Sequence, residues 1–136
     1  MIVYGAAAKI GAIVLPVNWR LQAQEVEYVL NDGSPKLVFA GPDFQPTVGA
    51  MAEKIESIEA CYTIGGGEAS AGFQRFEDLY TESDSGEEFE ISGDSGFVII
   101  HTAAIAGRPR GALLSQQNIT AINLGMILQF GLNVED

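Results

Sequence analysis

The stretch Gly96-Phe-Val-Ile-Ile-His-Thr102 is a continuous run of β-branched and aromatic residues without a formal charge. Such a run predicts a strand that is buried on both faces, as in a parallel sheet. A loop of small residues follows, and Ala112–Leu114 then predicts a second short strand. Ser115 is a favourable N-cap for a helix. Apolar residues recur in that helix at helical spacing, at Ile119, Ile122, Met126, Ile127 and Phe130.

Helices and strands also alternate upstream of this run, as hydrophobic periodicity and turn residues indicate. The predicted helices are Ile2–Gly11, Gln24–Asn31 and Asp43–Ile58. The predicted strands are Ala12–Val17, Lys36–Ala40 and Cys61–Ile64, followed by a short aromatic element from Phe73 to Tyr80. This alternation predicts an α/β fold with a mostly parallel sheet flanked by helices.

The acidic residues divide the chain into three predicted parts. Half of the 18 Asp and Glu residues lie between Glu68 and Asp94. Serine and glycine accompany them, so residues 66–95 are interpreted as a solvated acidic connection, with a metal or basic-partner site as the alternative. The connection separates the helix/strand alternation of residues 1–65 from the strand, loop, strand and helix of residues 96–136.

Composition excludes several classes of protein. The chain has 136 residues, 47% of them apolar, and a formal charge of −11, which argues against binding to nucleic acid or anionic membranes. The apolar stretch Ile10–Val17 is far shorter than a membrane span. Cys61 is the only cysteine, so the sequence offers neither a disulfide nor a zinc site. We therefore expect a soluble, cytoplasmic chain without a structural metal.

The loop from Thr102 to Gly111 has the composition of an anion site. Small residues let backbone N–H groups converge, and the guanidinium groups of Arg108 and Arg110 match phosphate oxygens. The spacing is not that of a Walker A loop. The residues alone leave a second interpretation open, in which the loop is an ordinary hairpin turn with surface arginines.

The segment His101–Asn118, HTAAIAGRPRGALLSQQN, resembles the phosphate-binding signature of AMP-forming acyl-CoA synthetases, Y/F-T-S-G-T-T-G-x-P-K-G-V-x-x-S-H-x-N. A second block, Lys9–Gly41, is similar to the upstream segment K-x-G-A-x-x-x-P-x-N-x-R-L of the same adenylate-forming superfamily. The two blocks follow each other in the family's order. The matching residues are Thr102, Gly107, Pro109, Gly111, Ser115 and Asn118 in the first block, and Gly11, Ala12, Pro16, Asn18, Arg20 and Leu21 in the second.

The resemblance implies a function and a set of ligands. It implies part of an acyl-CoA ligase that activates a carboxylic acid, fatty or aryl, with ATP and Mg²⁺ to an acyl-adenylate and then to a thioester of CoA. The implied ATP-phosphate residues are Thr102, Ala103, Ala104, Ile105, Ala106, Gly107, Arg108 and Arg110.

The phosphate loop departs from the family pattern at several positions. Residues 103–106 replace Ser, Gly, Thr and Thr, which removes three hydroxyl donors. Arg110 replaces a lysine and keeps its charge, whereas Gln116 replaces a histidine. Hydrogen bonds to charged groups are worth about 1.5–3 kcal/mol each, so we expect a variant phosphate site with weakened affinity.

The chain also lacks the family's adenine motif, ribose-binding aspartate, hinge and C-terminal lysine. No catalytic set is complete, and we expect residues 1–136 by themselves to be inactive. The alternative is a non-catalytic α/β module that binds a partner or oligomerises through apolar surface. In either case we expect a homo-oligomer.

Of four smaller features, three have two interpretations each. His101 is a general base or a packed structural histidine, and Cys61 is a nucleophile or a buried apolar residue. Gly65–Gly67 predicts a flexible turn. Trp19 and Arg20 orient a turn between strand and helix or contact a ligand. The structural interpretation is the more economical one in each case.

Overall fold

The computed structural model describes residues 1–80, 89–102 and 108–132. This part of the chain contains four α-helices and five β-strands. None of its helices is both long and apolar enough to cross a membrane. The elements are α1 (Ile2–Ile10), α2 (Ala23–Gly33), β1 (Leu37–Ala40), α3 (Gln45–Ala52), β2 (Ala60–Thr63), β3 (Phe73–Arg75), β4 (Gly96–His101), β5 (Gly111–Ser115) and α4 (Gln116–Phe130).

The chain forms two compact units. Residues 17–86 form one, which we call the central unit, and residues 1–16 with 87–136 form the other, the terminal unit. The central unit contains a parallel sheet in the order β1-β2-β3, with Val38 opposite Cys61 and Cys61 opposite Phe73. The predicted parallel α/β architecture is confirmed there.

One core cluster of the central unit lies between its sheet and α3. Ala40, Val48, Cys61 and Phe73 are all buried and pack together. A polar contact accompanies this apolar core. Gln45, which is 1% exposed, donates from Nε2 to Thr63 Oγ1 at 2.7 Å and accepts from Ser70 N at 2.7 Å. Because both ends of the amide are satisfied, its burial ties α3 to β2 and to the chain that leads into β3.

Helix α3 is shorter than the sequence predicts. The predicted helix Asp43–Ile58 is a 3₁₀ turn at Pro42–Phe44 followed by an α-helix that ends at Ala52. Glu59 N and Ala60 N both donate to Lys36 O, which holds the chain extended before β2 begins. Residues 53–58 must therefore turn the chain back toward β2 instead of continuing the helix.

In the terminal unit, β4 and β5 form an antiparallel hairpin with Val98 opposite Leu114. The predicted strand Ala12–Val17 contributes only one parallel bridge, from Val14 to Val98. Val14 N donates to Phe97 O at 2.8 Å and Ile99 N donates to Val14 O at 2.9 Å. The next donor in the ladder is Pro16, which has no N–H, so the pairing stops.

The prediction that β4 is buried on both faces throughout is wrong. Phe97 and Val98 are buried with Ala7 of α1, whereas Ile100 is 45% exposed. Helix α1 ends as predicted, with Gly11 in the left-handed conformation at φ 69°. Helix α4 also begins as predicted, but none of its residues is buried, and Leu128 and Phe130 are 84% and 68% exposed.

Candidate functional site

The β4–β5 hairpin brings the two ends of the predicted phosphate loop together. His101 pairs with Gly111, and beyond this pair Thr102 N donates to Arg110 O at 3.0 Å. The Thr102 hydroxyl also lies 3.4 Å from that carbonyl oxygen. The loop therefore leaves and re-enters the sheet at adjacent residues, and its two flanking side chains, Thr102 and Arg110, are exposed at the same end of the hairpin.

Gly111 allows β5 to approach β4 closely at the loop exit. A Cβ atom at position 111 would lie 2.7 Å from Ile99 Cγ2 and 3.3 Å from Cε1 of His101. The imidazole of His101 thus lies against the backbone of Gly111. This contact favours the packed, structural interpretation of His101 over the general base.

Of the predicted phosphate residues, the structure describes Thr102, Arg108 and Arg110. Both arginine side chains are exposed, and no other Lys or Arg occurs between Gly96 and Asn133. Residues 103–107 lie outside the described residues, so Ala103, Ala104, Ile105, Ala106 and Gly107 remain predictions. The described part of the site is a hydroxyl and two guanidinium groups around Pro109.

The N-terminus of α4 is closed to an anion. Its first amides already have acceptors, because Gln116 N donates to Ser95 O at 3.0 Å and Gln117 N to Gly93 O at 2.8 Å. Asn118 N donates to Ser115 Oγ at 3.2 Å, and Asn118 Oδ1 accepts from Ser115 N at 3.0 Å in a capping box. These three amides are therefore not available to a phosphate group, in contrast to the helix N-terminus of a Walker A site.

The sequence predicts the cap at Ser115 but not the carbonyl groups of residues 93 and 95. Those acceptors come from a loop more than twenty residues upstream, at the end of the acidic connection. A local pattern carries no signal for such a pairing. It depends on the fold of the terminal unit.

In the central unit, residues Asn18–Leu21 of the second matching block form a tight turn before α2. Asn18 Oδ1 accepts from Arg20 N at 3.0 Å, and Leu21 N donates to Asn18 O at 3.1 Å. The guanidinium carbon of Arg20 lies 4.8 Å from the centre of the Trp19 ring. This cation–π contact fits the predicted role of both residues in orienting the turn.

Cys61 is a buried residue in the middle of the central sheet. Burial raises the pKa of its thiol, which disfavours the thiolate and with it a nucleophilic role. Within residues 1–80, 89–102 and 108–132, no group of three His, Cys, Asp or Glu side chains could hold a metal ion.

The sequence profile of the AMP-binding enzyme family matches residues 1–136. The chain belongs to this family. A crystal structure from Rhodopseudomonas palustris, of a protein named as a candidate long-chain-fatty-acid CoA ligase, superposes with a TM-score of 0.85 at 43% identity. It covers 96% of this chain and 32% of that protein.

Two further relatives extend this similarity. YdaB of Bacillus subtilis, named as a candidate acyl-CoA ligase, is 30% identical over 115 residues, which are 84% of this chain and 22% of YdaB. ATP-bound MatB from Rhodopseudomonas palustris superposes with a TM-score of 0.73 at 25% identity, covering 93% of this chain and 24% of MatB. The chain spans about a fifth of the length of the curated relatives it matches. It is similar to the N-terminal region of adenylate-forming enzymes.

Proposed function

We propose that this chain supplies part of the ATP-binding domain of an AMP-forming acyl-CoA ligase. The enzyme joins a fatty or aryl carboxylic acid to ATP as an acyl-adenylate, releases pyrophosphate, and passes the acyl group to the thiol of CoA. Membership of the AMP-binding family supports the adenylate chemistry. The names of two similar proteins, a candidate long-chain-fatty-acid CoA ligase and a candidate acyl-CoA ligase, support the substrate class.

The residues proposed to contact ATP are those of the loop between β4 and β5, from Thr102 to Arg110. The observation that carries this proposal is the hydrogen-bonded closure of the loop between Thr102 and Arg110. Thr102, Arg108 and Arg110 are all exposed at this end of the hairpin. A guanidinium group can donate two parallel hydrogen bonds to phosphate oxygens. The structure of MatB, which aligns with 93% of this chain, has been solved with ATP bound.

The described residues that flank this loop supply no carboxylate ligand for Mg²⁺. Mg²⁺ prefers oxygen ligands and is commonly held by substrate phosphates with one or two carboxylates. From residue 96 to residue 102 and from 108 to 132 the chain has no Asp or Glu. We therefore infer that Mg²⁺ would be held by the ATP phosphates and would neutralise part of their charge, while Arg108 and Arg110 would bind phosphate oxygens.

We propose that residues 1–136 by themselves bind nucleotide but do not catalyse the reaction. We also propose that the protein is cytoplasmic. Adenylation needs the carboxylate and the α-phosphate held in line, with the developing charge stabilised. Among the described residues, the candidate groups are Thr102, Arg108 and Arg110, and neither His101 nor Cys61 is placed as a catalytic base or nucleophile. Binding and chemistry are therefore separable in this chain.

Calorimetric titration with MgATP tests the phosphate site. The wild-type chain is compared with Arg110→Ala, Arg108→Ala and, as a matched loss of charge elsewhere, Lys54→Ala in the central unit. Each arginine variant should weaken binding by about tenfold, because a charge-assisted hydrogen bond is worth about 1.5 kcal/mol or more. Lys54→Ala should bind as the wild type does. Absence of binding by the wild type, or equal affinity in all four chains, would contradict the proposal.

A second candidate function is a non-catalytic module that associates through α4. The observation that favours it is the exposure of apolar residues on several sides of this uncharged helix, including Leu124 at 56% and Leu128 at 84%. A helix that is apolar all round is normally buried by its surroundings. Light scattering at several concentrations tests this function: Leu128→Lys should lower the apparent mass if α4 mediates association, and a wild-type monomer throughout would exclude it.

A further inference from the structure

The end of the β4–β5 hairpin that closes the phosphate loop has positive charge and no carboxylate. From residue 96 to residue 132 the charged side chains of the sequence are those of Arg108 and Arg110, and both are exposed. The acidic residue that precedes them most closely is Asp94, two residues before β4, whereas the loop follows the end of β4. Because β4 has six residues at about 3.4 Å each, its two ends lie roughly 17 Å apart, well beyond the screening length of about 8 Å at physiological salt.

The side chains of the loop do not fit Mg²⁺ as a metal bound by the protein. Mg²⁺ requires oxygen ligands in near-octahedral geometry and is usually held by one or two carboxylates together with substrate phosphates. Residues 103–107 read Ala-Ala-Ile-Ala-Gly and have no side-chain oxygen. Thr102 supplies one neutral oxygen, its hydroxyl, which lies 3.4 Å from Arg110 O. A single neutral ligand does not replace the missing carboxylate.

The two guanidinium groups are close enough to act on one polyphosphate chain. A single residue, Pro109, separates Arg108 from Arg110, so their Cα atoms lie within about 7 Å of each other. Proline fixes its own φ and favours an extended conformation at the residue before it, which restricts the spacing of the two side chains. The bond from Thr102 N to Arg110 O, at 3.0 Å, holds this segment against the end of β4.

Charge therefore determines which form of a nucleotide this site favours. Metal-free ATP presents the full negative charge of its phosphates to the two guanidinium groups, each of which can bond two phosphate oxygens. A divalent cation on the phosphates cancels two of those negative charges and occupies oxygens that the arginines would otherwise bond. At a site without a carboxylate, the metal gains no protein ligand that would offset this loss of attraction.

We propose that this chain binds metal-free ATP in preference to MgATP, with Arg108 and Arg110 as the counter-charge of the phosphates. The preference rests on the proposed ATP site and specifies which form of the nucleotide that site takes. Opposite charges at an exposed site attract only moderately, so we expect metal-free ATP to bind about tenfold more tightly than MgATP. Mg²⁺ and the two arginines compete for the same phosphate charge.

Calorimetric titration of the chain with ATP, in buffer freed of metal by a chelating resin and in buffer with MgCl₂ at equal ionic strength, tests this preference. The dissociation constant should be about tenfold lower without the metal. In equilibrium dialysis, MgCl₂ added to the complex of the chain with ATP should release nucleotide. The preference should also decrease as the salt concentration rises, because the screening length falls to about 3 Å at 1 M.

Variants of the two arginines test their role in the preference. Arg108→Ala and Arg110→Ala should each reduce it, and the double variant should bind both forms of ATP weakly and about equally. Arg110→Lys keeps the positive charge and is the matched control, so it should retain the preference for metal-free ATP. Lys54→Ala removes a charge in the central unit and should leave the preference unchanged.

The outcomes separate this preference from the proposed function. Binding of MgATP that is as tight as that of metal-free ATP, or tighter, would overturn the preference and leave the proposed ATP site in place. An unchanged preference in the double arginine variant would overturn its assignment to Arg108 and Arg110. A chain that binds neither form would contradict the proposed ATP site, and the preference would fail with it.

Discussion

Replacing Gly111 by alanine should destabilise the terminal unit at the exit of the phosphate loop. The new Cβ would lie 2.7 Å from Ile99 Cγ2, which is 0.7 Å short of the 3.4 Å at which ordinary contact begins. Overpacking of this kind costs about 1–3 kcal/mol. Alanine also lowers the conformational entropy of the unfolded chain, which stabilises the folded state by about 0.4–1 kcal/mol. We therefore expect a net loss of about 1–2 kcal/mol in the free energy of unfolding.

Urea unfolding followed by far-ultraviolet circular dichroism measures this loss. At a slope of about 2 kcal/mol per molar urea, in the middle of the usual range for small proteins, the midpoint should fall by roughly 0.5–1 M. The reasoning attributes the loss to one methyl group, so Ile99→Leu, which lacks Cγ2 at nearly the same volume, should relieve it. The double variant Gly111→Ala/Ile99→Leu should be more stable than the sum of the single changes predicts by at least about 0.5 kcal/mol.

Additive effects of the two substitutions would refute the proposed contact between positions 111 and 99. A Gly111→Ala chain as stable as the wild type would do the same. The titration with MgATP then shows whether the close approach also matters for the loop. Because Arg110 is the neighbour of Gly111 and its carbonyl closes the loop, Gly111→Ala should weaken nucleotide binding, and the Ile99→Leu change should restore part of it.

Three further outcomes are expected. Ser115→Ala should lower the free energy of unfolding, measured in urea, by about 1 kcal/mol because Asn118 N loses its acceptor. Ser115→Thr keeps a hydroxyl acceptor and should retain most of the stabilisation by the cap. Gln45→Ala should cost about 3 kcal/mol, measured by the fluorescence of Trp19, because a cavity and two unpaired groups remain at Thr63 and Ser70. Burial raises the pKa of the Cys61 thiol in the folded state. The protonated thiol therefore contributes fully to the free energy of unfolding below the unfolded-state pKa of about 8.5, and this contribution is lost as the pH rises through the folded-state pKa. In alkaline unfolding titrations, the stability of the wild type should therefore fall relative to that of Cys61→Ala.

Local sequence features predicted many of the elements. The cap at Ser115 and the left-handed Gly11 depend on single residue types at helix ends, and both are observed. The parallel pairing of β1 with β2 follows from two short apolar strands separated by a helix. The two motif blocks, Lys9–Gly41 and His101–Asn118, indicated the family that the sequence profile then matched along the whole chain.

The misplaced elements have reasons that a local pattern does not contain. Ala12–Val17 has the composition of a buried strand, but its pairing with β4 stops at Pro16. Asp43–Ile58 has helical periodicity to its end, but two bonds to Lys36 O require an extended chain at residue 59. In both cases a contact with a distant segment determines where the element ends.

The sequence by itself determined the kinds of elements, their caps and the residue types of the phosphate loop, because these depend on spacing and on side chains near one another in the chain. Only the tertiary structure decided that β5 returns antiparallel to β4, that Thr102 and Arg110 close the loop, and that carbonyl groups of residues 93 and 95 occupy the N-terminus of α4. It also decided the order β1-β2-β3 of the central sheet. The physical reason is that backbone hydrogen bonds between distant segments use groups common to all residues, so the sequence marks them only weakly.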